Sequence, residues 1–449
     1  CDIANSKEGP PPSKMPVTMS PPFGSGYFNL STWRRINKFA SSTNIEIIFG
    51  LNSKAREYSN TPWDGRYGMK ELIQWTHNQS FHDFPVVGYE LGNEPDLFCR
   101  GNTTILPKRM LLDFIQLRTT LTNLPSLPST ERKKKYLLLG PDTAGIGIVT
   151  GSCTGNPNAI YNHYYKQFVG NYSEEGNQVL DEVTFHQYYF KGPSVTPFNI
   201  TKFINVTVMD TLLPKIQLAL GPKNGKNKYT TALGETSSAY DGGTPNISST
   251  FASTFTWLDK LGLSSRFGLA RVFRQQLCCG GAYDLLGNAG TNPRPDYYAT
   301  LLWKQLMSGK VLSVKGDDQK GRMFRAYSQC AKQYSGGLAV VYLNMNRNDS
   351  VLVNFDSLSA RKFNNSSSFL GESDKRMEVY MLSTVEKVFT GHRTRLNGME
   401  LLFGEDDVLP SLMPKVVNGG KEGMLVVEPL TVGFVVFPNA NVSVCEYCK

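Results

Sequence analysis

Two glutamates stand where apolar runs end. One belongs to Val86-Val87-Gly88-Tyr89-Glu90-Leu91-Gly92-Asn93-Glu94-Pro95, the other to Tyr229-Thr230-Thr231-Ala232-Leu233-Gly234-Glu235-Thr236. A carboxylic acid and a carboxylate at the ends of two strands of one domain are the minimum equipment for cleaving a glycosidic bond. Strand C-termini are also where a (β/α)8 barrel carries its chemistry. Asn93 beside Glu94 offers an amide to a sugar 2-hydroxyl, and Pro95, which cannot donate to a ladder, marks the strand's end. Strand residues alternate faces, so only some of Glu90, Asn93 and Glu94 can share one mouth. Taken singly, each segment has a plainer reading. Asn-Glu-Pro is turn-like, and Glu235 before Thr236, Ser237 and Ser238 also suits a helix N-cap. The pair together favours chemistry.

Two further segments carry candidate groups. In Val183-Thr184-Phe185-His186-Gln187-Tyr188-Tyr189, His186 and Tyr188 share one strand face. A tyrosine hydroxyl there can hold a carboxylate nucleophile ionised, though an aromatic strand with a core histidine reads equally simply. From Arg274-Gln275 to Gly280-Gly281-Ala282-Tyr283, glycines permit close backbone approach and free N–H groups bind carboxylates, unless the stretch is only a flexible loop. Basic clusters are sparse. Arg132 to Lys135 and Lys223 to Lys228 precede strand starts and so fall on the face away from strand C-termini. Lys320, Arg322 and Arg325 alternate and could touch an anionic polymer.

The elements that must position these groups alternate. Six short apolar strands are expected at Ile45 to Gly50, Val86 to Leu91, Tyr136 to Gly140, Val183 to Tyr188, Tyr229 to Gly234 and Leu269 to Phe273. Amphipathic stretches between them read as helices, which is the pattern of a parallel α/β sheet or barrel. A closed barrel of this kind needs eight strands. Residues 1–27 are rich in Pro, Gly and Ser and read as an extended linker, 28–310 as a partial barrel and 311–449 as an all-β sandwich of short runs separated by turn signals such as Asn397-Gly398.

Composition narrows the class. The chain has 449 residues, 40% apolar and 19% charged, with a net charge of +9. No apolar run reaches the roughly 18 residues of a membrane span, and no nucleic-acid motif, metal-ligand spacing or cofactor motif stands out. Eight cysteines are too few for a disulfide scaffold at this length. Eleven N-x-S/T sequons, at Asn29, Asn78, Asn102, Asn171, Asn199, Asn205, Asn246, Asn348, Asn364, Asn365 and Asn441, point to the secretory pathway and a lysosomal or extracellular destination. The chain opens at Cys1 without a methionine or signal-peptide pattern, as a mature chain, a processed subunit or a fragment would.

In order along the chain, Phe49-Gly50-Leu51-Asn52, Glu90 to Pro95, Leu139-Gly140-Pro141-Asp142, Thr184 to Tyr189, Leu233 to Tyr240, Trp257 to Gly262 and Pro295-Asp296-Tyr297-Tyr298 resemble the heparanase and endo-β-glucuronidase family of retaining glycoside hydrolases. The resemblance runs from about residue 28 to the C-terminus. It implies Glu94 as acid/base and Glu235 as nucleophile, with Asn93, His186, Tyr188, Tyr240, Gly242, Gln275, Gly281 and Tyr283 around a glucuronate. It implies a (β/α)8 barrel followed by a β-sandwich, no cofactor, and an anionic glucuronate-containing polysaccharide as substrate, heparan sulfate first. It also pairs Cys330 with Cys445, and leaves the neighbours Cys278 and Cys279 as reduced thiols. In the family an N-terminal segment, in animals a separate small subunit, supplies the first two barrel strands and one sandwich strand. The six-strand count is what the absence of that segment would give, either because it is a separate small subunit or, as the Pro-rich start favours, because the sequence is truncated. Departures from the family pattern keep two alternatives open, an exo-acting β-glucuronidase and an inactive glycan-binding relative. Asp241 stands where a glycine facing the substrate carboxylate is expected, and the Gly145 to Gly155 segment carries no Arg or Lys.

Overall fold

The computed structural model describes residues 15–18, 25–58, 60–101, 105–125, 135–146, 164–174, 179–192, 195, 197–221, 229–287, 292–314, 321–354, 376–386, 388–404, 408–418 and 424–446. The chain divides into two compact units. The first comprises Cys1–Gln187, Leu218–Glu235 and Ala270–Phe273, and the second Tyr188–Gln217, Thr236–Leu269 and Arg274–Lys449.

The first unit is built on a six-stranded sheet: β1 (Ile47–Leu51), β2 (Val86–Leu91), β3 (Leu137–Thr143), β4 (Glu182–Gln187), β5 (Thr230–Thr236) and β6 (Val272–Arg274), lying side by side in chain order. β1 to β4 pair in parallel. Sequential order is what right-handed crossover connections produce. Every residue of β4 is buried, as a sheet covered on both faces requires. All six expected strands are present, with ends moved by up to three residues. The sheet is open: β1 and β6 are its edges, and no described strand joins them. Within residues 1–27, expected to be linker, Met15–Thr18 and Ser25–Phe28 form an antiparallel hairpin. The strand preference of Val17 and of Tyr27-Phe28 was masked by the surrounding prolines.

Helices between the strands follow from caps and apolar spacing. Asn29 caps α1 (Leu30–Ser42) by accepting from the Thr32 N–H at 2.9 Å, and the helix buries Trp33, Asn37 and Ala40 at the three-to-four spacing of one face. α2 spans Met69–His77, and the Trp33 indole N–H donates to Thr76 on it at 3.0 Å. In α3 (Pro107–Thr122) proline occupies the first turn, and Met110, Phe114, Leu117 and Leu121 face inward. α4 spans Tyr164–Glu174. At the N-terminal end of the sheet Arg118 pairs with Asp181 at 2.6 Å, and Arg271 pairs with Glu182.

The second unit holds an antiparallel sheet ordered Met307–Leu312, β7 (Phe324–Ala331), β8 (Leu338–Asn344), β10 (Thr431–Phe437), β9 (Arg376–Thr384), Thr394–Leu396 and Met399–Glu400, with Lys415–Asn418 also on β9. Val351–Asn354 and Met424–Val427 pair separately. β8 and β10 are buried along their full length. α5 (Phe251–Arg266) and α6 (Pro295–Leu306) belong to the same unit. Arg325 on β7 corrects an expectation. It is fully buried, bonded to Asp259 of α5 at 3.1 Å and to Asp210 at 2.6 Å, so it has no free charge for an anionic polymer.

Cys330 and Cys445 form a disulfide across 115 residues of chain. A loop of that size restricts the unfolded ensemble by an amount worth about 4–5 kcal/mol in the chain-entropy model. Replacing both cysteines with serine should lower the guanidinium unfolding midpoint accordingly. An unchanged midpoint in the double variant would show the crosslink to be energetically idle.

Candidate active site

β2 ends at Leu91, and the backbone then turns through two left-handed residues, Gly92 (φ 85°) and Glu94 (φ 49°). A Cβ on Gly92 would press on Ser53, so glycine is required for space as well as for torsion. The Gly92 N–H donates to Leu51 O, and the Glu94 N–H donates to Asp142 O, both at 2.8 Å. This turn breaks the simple alternation of faces. It brings the Glu94 side chain to the same group as Glu90, while Asn93 is exposed.

His186, near the end of β4, is the hub. Its Nδ1 lies 3.0 Å from Glu94 Oε1 and 3.8 Å from Glu235 Oε1, and its Nε2 faces Asp142 Oδ1 at 3.5 Å. The contacting atoms of Glu94, His186 and Glu235 all lie within 4.8 Å of one another. The imidazole is 1% exposed, while the Glu94 and Glu235 side chains are 29% and 27% exposed. A buried base is thus covered by two acids that open to solvent.

The electrostatics follow from that burial. Burial alone would lower the His186 pKa, but the Asp142 carboxylate facing its Nε2, the hydrogen bond to Glu94 and the charge of Glu235 raise it well above the imidazole range. Burial works to raise Asp142, but His186, Thr184 and Glu90 outweigh it and hold Asp142 below the ordinary carboxylate value. Burial and the neighbouring Asp142 push Glu90 well up. Burial pushes Asp96 up to about 7, the Ala144 N–H opposing and the charge of Glu94 assisting. Asp96 Oδ1 accepts from that N–H at 2.9 Å, and its Oδ2 is buried without a hydrogen bond among the described residues.

The remaining candidates lie in the second unit and gather there. Tyr188 and Tyr240 meet edge to face with ring centres 6.3 Å apart. The Gly242 carbonyl accepts from Ala282 N–H at 2.7 Å, and a side chain on Gly281 would collide with Gly242. Gln275 is held by its N–H to Thr236 O at 2.9 Å. The stretch from Gly280 to Tyr283 is pinned rather than loose. Asp284 accepts from the N–H groups of Gly280 and Gly281 at 3.0 and 3.1 Å, and Arg274 donates to the carbonyl of Tyr283 at 2.9 Å. Asp241, with a left-handed backbone, lies 4.0 Å from Lys191. Cys278 is free, as expected, but Cys279 is disulfide-bonded, with its partner's side chain outside the described residues. Adjacent thiols gave no sign of that distant pairing.

The family model for glycosyl hydrolase family 79, N-terminal domain, matches residues 12–262. Heparanase of Bos taurus is 31% identical over 433 residues, covering 94% of this chain and 70% of the bovine protein. The chain belongs to glycosyl hydrolase family 79. A hyaluronoglucuronidase of Hirudo nipponia is 27% identical over 433 residues, covering 92% of this chain and 77% of the leech protein. Among solved structures, a 4-O-α-L-rhamnosyl-β-D-glucuronidase from Fusarium oxysporum superposes with a TM-score of 0.60 at 13% identity, covering 94% of this chain and 84% of that one, a likeness of fold.

As a family 79 glycoside hydrolase, the chain has more acids around His186 than the two that its sequence singled out. Asp142, Glu90 and Asp96 were not given roles beforehand. Asp142 adopts a left-handed backbone after Gly140-Pro141, a conformation aspartate takes more readily than most residues, and nothing in its type or spacing marked it.

Asp96 gives this site a pH signature. Its folded pKa, about 7, lies above the ordinary aspartate value of 3.8. The folded state therefore holds a proton that the unfolded state releases. The stability it contributes is full below the ordinary value and is lost as pH rises through the folded value. Urea unfolding at pH 4.5 and 7.5 should show Asp96→Asn losing about 3 kcal/mol less over that interval than the parent. Parallel losses in both proteins would contradict this placement of Asp96.

Proposed function

We propose that the chain is the catalytic part of a retaining endo-β-glucuronidase acting on glucuronate-containing polysaccharide, with heparan sulfate as first candidate. One observation carries the reading: carboxylate oxygens of Glu94 and Glu235 lie within 4.8 Å of each other at the ends of two parallel strands. Retaining enzymes hold the two carboxyl groups about 5–5.5 Å apart, whereas inverting enzymes leave about 6.5–9.5 Å for a water molecule. Glu94 protonates the glycosidic oxygen while ionised Glu235 attacks the anomeric carbon. Glu94, now a base, then draws a proton from the water that releases the sugar from Glu235. Tyr240, Gly242, Gln275, Gly281 and Tyr283 are assigned to the glucuronate by the family pattern. Residues 28–310 act as the catalytic domain and 311–449 as its β companion. The sequons support a secretory route.

Glu235→Ala should abolish covalent labelling by a 2-fluoro-glucuronide. Labelling of another carboxylate in the parent protein would remove Glu235 from its role. Glu94→Gln should lower kcat about 10²–10⁴-fold on polysaccharide, with a much smaller loss on an aryl glucuronide whose leaving group needs no proton for the first step. Digestion of defined heparan sulfate, hyaluronan and arabinogalactan oligosaccharides decides substrate and cleavage mode. Internal cuts support the endo reading, and release of terminal sugars alone supports exo action.

The open sheet bears on the partner. Among the described residues, β1 and β6 are the edges of the sheet, with no strand paired on their outer sides. We propose that two strands from an N-terminal segment complete the sheet to eight. Co-expression with a matching βαβ segment should then raise soluble yield and turnover together. Full turnover by the monomeric chain alone would count against it.

A further inference from the structure

We propose that Asp142 is a positioning residue that acts through His186 to fix which oxygen of Glu94 carries the catalytic proton, with Glu90 as its hydrogen-bonded partner. The inference rests on the role given to Glu94 above. Both residues lie in segments that match the family pattern, but that pattern assigned neither of them a role.

Asp142 touches three strand ends. Its carbonyl accepts the Glu94 N–H at 2.8 Å, and its own N–H donates to Thr184 Oγ1 on β4 at 3.0 Å. Its carboxylate lies against Gly234, where any Cβ would collide with it, and that glycine immediately precedes Glu235. The same carboxylate faces His186 Nε2 at 3.5 Å and is hydrogen-bonded to Glu90. The residue is 4% exposed. Two carboxyl groups in such contact share one proton. The imidazole beside Asp142 settles where the charge resides, so Glu90 keeps the proton and donates it to ionised Asp142.

The groups facing His186 are Glu90, Glu94 and Asp96 from β2 and the turn after it, Asp142 from β3 and Glu235 from β5. With an anion at Nε2, the ring carries protons on both nitrogens and donates through Nδ1 to Glu94 Oε1. Oε1 is then occupied as an acceptor, and the acid proton sits on Oε2. In glycosylation that proton passes from Oε2 to the leaving oxygen, the Glu235–carbon bond forms as the glycosidic bond breaks, and the new Glu94 anion is already paired with the imidazolium. No other proton moves. Without the anion at Nε2, the buried ring loses one proton to solvent and stays neutral, and its Nδ1 accepts a hydrogen bond from the Glu94 acid, turning that proton away from the leaving oxygen.

Asp142→Asn should therefore lower kcat/KM roughly 10²–10⁴-fold, as a neutral amide behind a catalytic imidazole does elsewhere. It should also move the alkaline limb of the pH profile to lower pH, because removing an anion makes neighbouring protons easier to lose. Glu90→Ala should cost at least tenfold and Glu90→Gln should restore most of that, since the amide N–H replaces the carboxyl proton. An alkaline limb unmoved in Asp142→Asn, or no recovery in Glu90→Gln, overturns the proposal.

A readout independent of turnover separates this from the function itself. The chain has five histidines, so His186 can be assigned by ¹⁵N-imidazole NMR of the protein co-expressed with its N-terminal segment. In the parent, His186 should stay doubly protonated well above the ordinary imidazole range. Titration at or below that range refutes the proposal even if Asp142→Asn fails to fold. If His186 titrates as expected but no glucuronide or polysaccharide is cleaved, the functional reading fails and the Asp142–His186 arrangement stands.

Discussion

The carboxylate of Asp142 lies where a side chain on β5 would otherwise be. Gly234 leaves that space, and no residue with a Cβ could occupy the position without displacing the acid. From this single vacancy the rest of the site follows. Asp142 reaches under β5 to His186, His186 spans Glu94 and Glu235, and the backbone of Asp142 holds the turn from which Glu94 projects. The turn after β2 and strands β3, β4 and β5 each hold one of these four residues. Sliding any one of them by a residue would turn its member away, because side chains reverse face at every step. The regular sheet sets the spacing, and the irregular turns at its ends set the direction.

The second unit solves a different problem with similar groups. Arg325, Asp259, Asp210 and Tyr327 form a closed set in which each charge is answered, Tyr327 donating to Asp259 at 2.6 Å. Such a set is weak evidence for stability, since removing charges from water costs about as much as their attraction returns. Losing one member would nevertheless leave a buried charge unanswered. The set ties β7 to α5 with directional bonds that apolar packing would not supply. It also explains why the sequence's alternating basic residues mislead. Of the three, only Arg325 lies on the strand, and only the fold reveals that it meets a buried aspartate 66 positions earlier.

Much of the architecture was legible because parallel strands covered on their faces read as short, mostly apolar runs, as Val86–Leu91 does most plainly. Thr394–Leu396 and Lys415–Asn418 escaped notice because three or four residues with a basic member give no periodic signal. At the site, Glu94, Glu235 and His186 stood out by type and placement at strand ends. Glu90 and Asp142 did not, for a physical reason. Glu90 sits inside a strand, where alternation predicts only a face, and Asp142 owes its position to a left-handed turn and to the absence of a side chain on Gly234. Both are relations between segments far apart in the chain.

The pKa shifts around His186 share a sign with consequences for the whole molecule. His186, Glu90 and Asp96 all bind protons more tightly folded than unfolded. For His186 the associated stability is full below the ordinary imidazole value and is lost as pH rises through its raised folded value. For the two carboxyls the loss begins lower, above the ordinary carboxylate range. Asp142 works the other way, its contribution fading only as pH falls through its depressed value. The folded state is therefore favoured in an acidic window bounded below by Asp142 and above by the other three. Within that same window the His186 imidazole stays charged. These four contributions have one cause, the crowding of carboxyl groups around a single buried ring.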